Sequence, residues 1–380
     1  MRCGYFDVGA CRSCTLMGVP YADQLADKQR GLEQVLAGHV DTGAWGAPVA
    51  SRESGFRNKA KLVVGGTKAA PTLGILDGDA RGVDLRRCGL YEPGLDRAVT
   101  LLAERLAGSG LTPYDVPARQ GELKHVLLTH SPAGELMVRL VLRSPGQRRR
   151  AVELLEVLAD TPGMPPVRVA GINLQPEHKA VLEGAEEEVL SAERTLPMPL
   201  SGRTLHLGTR SFFQTNTAVA TRLYEQVAAW VEDLAPARVW DLYCGVGGFA
   251  VHCAAPGRQV TGVEVSPEAV LSARRAAGST PGLHFRAADA GAWVQEQDPD
   301  EHPDLVILNP PRRGVGAELA RWVEGSRVRH VVYSSCDAAS LTRDLEAMPS
   351  WRPVRARMFD MFPQTRHLEV AVLLERRAGR

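Results

Sequence analysis

The stretch Asp241-Leu242-Tyr243-Cys244-Gly245-Val246-Gly247-Gly248 decides the fold. Apolar residues from Val239 to Tyr243 predict a short buried strand, and the glycines after it predict a tight turn into a helix. A glycine-rich turn lets the backbone approach a ligand and directs helix N–H groups at it. Glu264 ends the next predicted strand, where its carboxylate can accept hydrogen bonds from ribose hydroxyls. The stretch therefore predicts a cradle for a nucleotide-like cofactor.

Short strands and helices alternate around this turn. Strands are predicted at Val239–Tyr243, Val260–Val265, His284–Ala287, Leu305–Leu308 and Val331–Tyr333, and the intervening helices include Pro267–Ala277 and Glu318–Glu324. Such alternation is typical of a doubly wound α/β sheet. Two further strands, Val354–Phe359 and Leu368–Leu374, follow with only a loop between them. A parallel run that ends in an antiparallel pair is similar to the class I methyltransferase fold, a Rossmann-like seven-stranded sheet.

The residues around the turn favour one cofactor over another. A nicotinamide cofactor would suit the layout, but the loop lacks a third spaced glycine and Asp241 is poorly placed for a pyrophosphate. A cationic sulfonium without phosphates suits this acid better, so we expect S-adenosylmethionine. Asn309, in Asn309-Pro310-Pro311-Arg312, follows the fourth strand at the edge where ligands of such sheets bind. Asp289 could contact the adenine or cap a helix.

A thiol and a carboxylate are expected at the same edge. Cys336 follows Tyr333-Ser334-Ser335 at the end of the fifth strand, and Glu369 begins the last strand. Methylation of uracil C5 needs a thiolate that attacks C6, a methyl donor, and a base that removes the C5 proton. We therefore expect Cys336 to be the nucleophile and Glu369 the base, since the amide of Asn309 does not titrate.

Cytosine-5 RNA methylation is a rival chemistry. Enzymes of that kind typically carry a second cysteine directly after the paired prolines, where this chain has Arg312. Uracil is therefore favoured. Cys244 and Cys253 are expected to be packing residues within the fold.

Four other cysteines lie outside this domain: Cys3, Cys11, Cys14 and Cys88. Four thiolates suit either structural zinc or a [4Fe–4S] cluster, and their spacing barely separates the two. The closely spaced triplet of radical S-adenosylmethionine enzymes is absent. In either case Cys88 would tie the N-terminal segment to the middle of the chain.

The remaining sequence predicts three parts. Residues 1–18 form a cysteine-rich segment, residues 19–200 an α+β domain with a largely antiparallel sheet, and residues 201–380 the methyltransferase domain. No stretch of about 18 apolar residues exists and the N-terminus lacks a signal-peptide pattern, so the cytoplasm is the expected compartment. A net charge of +1 does not exclude a basic patch.

Several motifs together resemble the RNA uracil-5-methyltransferases, and the resemblance runs over nearly the whole chain. The segments that carry it are Cys3…Cys11-Arg12-Ser13-Cys14, Gly55–Lys61, Ser211-Phe212-Phe213-Gln214-Thr215-Asn216, Asp241–Phe249, Asn309–Gly314, Tyr333–Cys336 and His367–Glu369. The narrower match is to the members that methylate a uridine of 23S ribosomal RNA.

The resemblance implies a [4Fe–4S] cluster on Cys3, Cys11, Cys14 and Cys88. It also implies cofactor contacts from Gln214, Tyr243, Glu264 and Asn309, a nucleophile at Cys336 and a base at Glu369. Many relatives have Asp in place of Asn309, so here only a hydrogen-bonding role is expected. With Cys3 at the start, we expect no TRAM domain, which is the RNA-binding barrel of a related ribosomal enzyme. The tRNA-specific relatives lack the cysteine cluster, so both differences favour the narrower match.

An RNA substrate implies surfaces that grip it. Arg57, Lys59 and Lys61 alternate, so a strand would place them on one face, available to phosphates. Arg312 and Arg313 lie beside the expected site, and the uridine must be flipped out or single-stranded to reach Cys336. Alternatives are an enzyme for two 23S sites or for tRNA, and a non-enzymatic iron–sulfur RNA-binding sensor. No obligate protein partner is evident.

Overall fold

The computed structural model describes residues 1–377, and the chain divides into two compact units. The first unit comprises residues 1–17 and 52–198, and the second comprises residues 18–51 and the chain from 199 onward. The sequence had placed residues 19–51 in the middle domain, and the structure instead packs them with the second unit. Within the described residues, no helix is long and apolar enough to cross a membrane.

The helices and strands are numbered in chain order. The α-helices α1–α10 span Gly4–Asp7, Tyr21–Val35, Pro93–Leu106, Arg148–Ala159, Thr217–Leu234, Gly248–Cys253, Pro267–Ala277, Ala290–Gln295, Gly316–Gly325 and Ala338–Glu346. The strands β1–β16 span Lys59–Gly66, Pro71–Leu76, Gly82–Asp84, Leu123–His130, Leu136–Leu142, Val167–Leu174, Glu186–Val189, Leu196–Leu200, Arg203–Leu207, Arg238–Leu242, Gln259–Glu264, Leu283–Ala287, Leu305–Leu308, His330–Ser335, Trp351–Phe359 and Glu369–Arg376.

The first unit contains a seven-stranded sheet in the order β3-β2-β1-β4-β5-β6-β7. Only β5 and β6 are parallel in this sheet; its other pairs are antiparallel. Helices α3 and α4 supply one layer of the core, because Leu95, Leu102 and Leu158 are wholly buried with strand residues such as Leu62 and Val64. Alternate strand positions point to the opposite face.

The second unit contains the sheet that the glycine turn predicted. Its order is β12-β11-β10-β13-β14-β16-β15. The five strands from β12 to β14 are parallel, whereas β16 runs antiparallel between β14 and β15. The predicted class I methyltransferase fold is therefore confirmed, with its final antiparallel pair.

Residues 18–51 join the second unit for two reasons. Leu32, Leu36 and Val40 are buried in the same apolar cluster as residues of β10, β13 and β14, so helix α2 and its C-terminal end contribute to that core. In addition, Lys28 Nζ lies 2.6 Å from Asp360 Oδ1, with almost no exposure of either side chain. Tyr21 also donates a hydrogen bond of 2.8 Å to Asp360 Oδ2. This polar cluster fixes α2 to the end of β15.

Replacing Lys28 by Met should lower the free energy of unfolding by about 3–5 kcal/mol, because it leaves the carboxylate of Asp360 buried without its cation. Urea unfolding would measure the change. Arg30→Met is the matched control, since Arg30 and its partner Asp27 are both exposed, and it should change stability by less than about 1 kcal/mol. Equal losses in the two variants would contradict a structural role for the buried pair.

Candidate functional site

Cys336 lies between strand β14 and helix α10. Asp337 caps the helix, since its side chain accepts a hydrogen bond of 2.8 Å from the backbone N–H of Ser340. Ser335 is tied to the same turn, because its hydroxyl donates to the carbonyl of Asp337 over 2.9 Å. These bonds hold the backbone on both sides of Cys336, whose side chain is half-buried. The thiol is thus presented at the carboxyl edge of the parallel strands.

Glu369 reaches the same edge from the opposite direction. Because β16 is antiparallel to β14, the first residues of β16 pair with the last residues of β14, and Val370 lies opposite Ser335. Glu369 is only 2% exposed. Its Oε1 accepts a hydrogen bond of 2.8 Å from the hydroxyl of Ser334, which is fully buried. The topology therefore brings the predicted base beside the predicted nucleophile.

The electrostatics of the two groups are coupled. Burial raises the pKa of Glu369 to about 7, although the hydrogen bond from Ser334 acts to lower it. Burial also raises the pKa of the Cys336 thiol, and the negative charge of Glu369 raises it further. Arg312 lowers the pKa of that thiol through its positive charge and a side-chain hydrogen bond. At neutral pH the site can thus hold a carboxyl group near its titration midpoint beside a thiol contacted by a cation.

Arg312 belongs to the loop that follows β13. The backbone N–H of Asn309 donates to the carbonyl of Leu242 over 3.3 Å, which fixes the start of the loop to β10. Asp344 fixes its other end, because its Oδ2 accepts a hydrogen bond of 2.8 Å from the N–H of Val315. The same oxygen accepts a hydrogen bond from the hydroxyl of Tyr333 in β14. Asp344 therefore links the arginine loop to the strand that precedes Cys336.

The glycine turn surrounds a buried acid. Asp241 is fully buried, and its Oδ2 accepts a hydrogen bond of 2.9 Å from the N–H of Ala250 in α6. Its Oδ1 has no hydrogen-bond partner within residues 1–377. Burial raises the pKa of Asp241 to about 8, and the nearby charge of Glu264 also raises it. Gly247 has φ +87°, and a Cβ there would lie 2.9 Å from the ring of Phe285.

Glu264 and Tyr243 flank this turn. Each carboxylate oxygen of Glu264 accepts one backbone hydrogen bond, 3.1 Å from Gly245 and 2.9 Å from Ser266. The acid thus ties the turn after β10 to the end of β11. Tyr243 has φ +64°, a left-handed conformation that is rare for a residue with a side chain and that clusters at ligand sites. Its ring is half-buried.

Two other predicted positions, Gln214 and Asp289, lie near the N-terminal ends of helices α5 and α8. Gln214 is buried, 8% exposed, in the segment that precedes α5. Asn216 caps that helix, as its side chain accepts a hydrogen bond from the N–H of Val219. Asp289 caps α8, with its Oδ1 3.0 Å from the N–H of Ala292. Of the two roles left open for Asp289, the cap is the one its contacts support.

The four N-terminal cysteines lie in the first unit. Burial raises the pKa of Cys14 to about 11, and negative charge on Cys88, Cys11 and Cys3 raises it as well, so the four thiols share one neighbourhood. Cys14 is buried with Phe56 and Leu90, and Cys88 packs against the same cluster. Among residues 1–377, however, no group of three or more metal-binding side chains has the arrangement that holds a single metal ion.

Two further sets of residues were predicted from the sequence. Cys244 and Cys253 are buried, 6% and 1% exposed, as expected of packing residues. In β1, Lys59 and Lys61 alternate with the buried Ala60 and Leu62, so the two lysines share one face of the strand. Arg57, which was predicted on the same strand, lies before β1 and pairs with Tyr91 in an isolated bridge. Burial, followed by the charge of Lys61, lowers the pKa of Lys59 to about 8.

Sequence reasoning missed two contacts of the predicted site residues. It assigned Arg312 to RNA binding alone, without its contact to the thiol of Cys336. It also gave Ser334 no role, although a serine in a buried strand is a signal that its hydroxyl has a partner. That partner is Glu369.

The chain is similar to known proteins over nearly its whole length. A family model described as tRNA (Uracil-5-)-methyltransferase matches residues 300–377, and one described as methyltransferase small domain matches residues 219–323. The 23S rRNA (uracil(747)-C(5))-methyltransferase RlmC of Halothiobacillus neapolitanus is 46% identical over 99% of this chain and 100% of its own. The RlmC of Yersinia pseudotuberculosis is 43% identical over 98% of this chain and 99% of its own.

Among solved structures, the fold matches the tRNA (uracil-54, C5)-methyltransferase of Pyrococcus abyssi in complex with S-adenosyl-L-homocysteine. The TM-score is 0.77, with 95% of this chain and 85% of that chain covered. The sequence identity is 23%, so this likeness shows the fold alone.

Alkylation of Cys336 should respond to both neighbouring charges. Arg312→Gln should slow its reaction with iodoacetamide at pH 8 by up to about tenfold, because the thiolate loses a nearby cation. Glu369→Gln should accelerate the reaction, because a negative charge beside the thiolate is removed. Mass spectrometry of the peptide containing Cys336 would separate it from the other thiols. Unchanged rates in both variants would contradict the proposed coupling. Arg352→Gln serves as the control, because Arg352 is exposed at the opposite end of β15 from Phe359, the residue that pairs with Glu369.

Proposed function

Because this chain belongs to the RNA uracil-C5-methyltransferase family, we propose that it transfers a methyl group from S-adenosylmethionine to C5 of a uridine in 23S ribosomal RNA. The proposed substrate is the one named for its RlmC relatives. The observation that carries the proposal is the pairing of Cys336 with Glu369 at the edge of a methyltransferase sheet. A covalent mechanism on a pyrimidine needs both groups, whereas most methyl transfers need neither.

The glycine turn fits S-adenosylmethionine, which supplies an electrophilic methyl group when bound. The buried Oδ1 of Asp241 lacks a partner within the described chain, and a cationic ligand beside the turn would lower the raised pKa of this acid and so favour its ionised form. Glu264 keeps lone pairs for ribose hydroxyls, since each of its oxygens accepts only one backbone hydrogen bond. Gln214, Tyr243 and Asn309 are the other proposed cofactor contacts.

Cys336 opens the reaction in this mechanism. Its thiolate attacks C6 of uracil, so a C6–S bond forms and the electron pair of the C5–C6 double bond moves into an enolate. Arg312 stabilises the thiolate, because it lowers the pKa of a thiol that burial would otherwise keep protonated. The enolate carbon C5 then forms the new bond to the methyl group.

Glu369 closes the reaction. C5 now carries both a methyl group and a hydrogen, and removal of that proton by the carboxylate restores the double bond and releases the thiol from C6. A pKa of about 7 suits this task, since the group is substantially ionised at neutral pH and still basic enough to take the proton. Asn309 has no proton-accepting form of this kind and is left with an orienting role.

The substrate uridine must leave its stack to reach Cys336, so we expect a flipped or single-stranded uridine. Arg312 and Arg313 are exposed on the loop beside the site and are available to phosphates. Lys59 and Lys61 form a second basic strip on β1. The choice of 23S RNA over tRNA rests on the named relatives and on the four N-terminal cysteines, which the tRNA-specific members of the family lack.

We also propose that Cys3, Cys11, Cys14 and Cys88 bind a [4Fe–4S] cluster. The shared apolar cluster around Cys14 and Cys88 supports it, since such surroundings protect an iron–sulfur centre from solvent. A cubane cluster holds its cysteine sulfurs farther apart than a single ion does. Thiols spaced for a cluster therefore need not meet the geometry of a mononuclear site.

Incubation with S-adenosylmethionine and a 23S RNA fragment that contains 5-fluorouridine should trap a methylated covalent complex. The fluorine replaces the proton that Glu369 removes, so Cys336 cannot leave. Intact mass after denaturation, followed by peptide mapping, would locate the adduct. An adduct with tRNA but not with 23S RNA would contradict the proposed substrate and retain the mechanism; none with either RNA would support the non-enzymatic sensor.

Two substitutions test the assigned roles on unmodified RNA. Cys336→Ala should abolish methyl transfer, by at least about a thousandfold, and leave S-adenosylmethionine binding intact. Glu369→Gln should accumulate the RNA adduct. Cys253→Ala, which removes a buried thiol elsewhere in the sheet domain, should retain turnover. Turnover by Cys336→Ala, or full product release by Glu369→Gln, would remove the residue concerned from its role.

Anaerobically purified protein should contain iron and acid-labile sulfide in equal amounts, and Cys88→Ser should lose both together with thermal stability. Elemental analysis, the visible absorption spectrum and the melting temperature would measure this. Cys253→Ala should retain the iron. Stoichiometric zinc without labile sulfide would contradict the cluster and leave the methyltransferase proposal untouched.

A further inference from the structure

Ser334 occupies an unusual position for a polar side chain. It lies in β14 between Tyr333 and Ser335, in a strand that is buried almost throughout, and it is itself fully inaccessible to solvent. A buried hydroxyl needs a hydrogen-bond partner, because its desolvation is otherwise uncompensated. The only partner recorded for its hydroxyl in the described chain is Oε1 of Glu369, at 2.8 Å.

Strand pairing makes this contact rigid. Ser334 lies on β14 opposite Ala371 of β16, two residues after Glu369, and most residues of both strands are buried. Neither side chain can turn toward solvent, since Ser334 is 0% and Glu369 2% exposed. The bond is also the only one that the carboxylate accepts within residues 1–377, and it uses Oε1. Oε2 is thereby left for another proton.

We propose that Ser334 is a positioning residue for removal of the C5 proton: its hydroxyl holds Oε1 of Glu369 and so directs Oε2 toward the uracil bound to Cys336. This inference rests on the proposed function. In the step itself, the C5–H bond breaks, its proton goes to Oε2, its electron pair re-forms the C5–C6 double bond, and the C6–S bond breaks with its pair on sulfur. Ser334 keeps its own proton throughout.

The hydroxyl also sets when Glu369 is ionised. A donor to the carboxylate favours the charged form, and Ser334 acts in this direction against the burial that raises the pKa of Glu369 to about 7. Without it the pKa rises further, so a smaller fraction of the enzyme carries the base at neutral pH. The loss should therefore be largest at low pH and diminish as pH rises.

Ser334→Ala should slow turnover, measured as release of methylated RNA, by about tenfold or more at pH 7, corresponding to one hydrogen bond to a charged group. It should shift the pH profile of turnover to higher pH and let the covalent RNA adduct accumulate, while S-adenosylmethionine binding stays unchanged. Ser272→Ala removes another buried hydroxyl, 2% exposed in α7, and should leave the profile where it is. Stopped reactions analysed on denaturing gels would give both rate and adduct.

Ser334→Thr and Ser334→Val form a second test, because the two side chains have the same shape and differ in the hydroxyl. The threonine variant should retain the wild-type pH profile, and the valine variant should shift as alanine does. An equal loss at every pH, or identical behaviour of the two variants, would overturn the inference. Failure of the proposed function is distinct, since the wild-type protein would then methylate neither RNA and form no adduct.

Discussion

The site depends on one antiparallel strand inserted into a parallel sheet. In the parallel strands only carboxyl ends meet at the ligand edge, so the side chains there come from the last residues of a strand or from the loop that follows it. β16 breaks this rule, and its first residue reaches the same edge from the other direction. A carboxylate can therefore lie deep inside the sheet beside a thiol that projects from a loop.

Burial raises the pKa of both groups, which helps the base and hinders the nucleophile. Removing Glu369 from water makes it a better proton acceptor, and the same environment disfavours the thiolate of Cys336. The protein resolves the conflict with two donors of unequal strength. A neutral hydroxyl from Ser334 moderates the carboxylate, whereas a full positive charge from Arg312 assists the thiol. Asp344 then holds the arginine loop to β14, so the cation stays beside the nucleophile.

Sequence patterns predicted the second sheet, its glycine turn and the positions of Cys336 and Glu369, because buried strands and tight turns leave local signals. They did not predict β7, whose residues Glu186–Val189 are mostly acidic. That strand forms because the buried Arg139 binds Glu187, a partner 48 residues away that no local pattern reveals. The placement of residues 18–51 was missed for the same reason, since Lys28 pairs with Asp360 across most of the chain. The Ser334–Glu369 bond likewise appears only once two strands are paired, and the cofactor and cluster ligands stay predictions.

The pairing of Lys28 with Asp360 also has a consequence for folding during synthesis on the ribosome. The partners are 332 residues apart, so helix α2 emerges long before the strand to which it belongs exists. At about 5–20 residues per second this interval lasts roughly 20 to 60 s. The first unit can complete its sheet during that time. Residues 18–51 belong to the second unit, so Leu32 and Leu36 stay exposed to solvent until its strands are made. A chain that ends before Asp360 would keep the apolar contacts of Leu32 and Leu36 with β10, β13 and β14, but it would bury Lys28 without the acid that neutralises it.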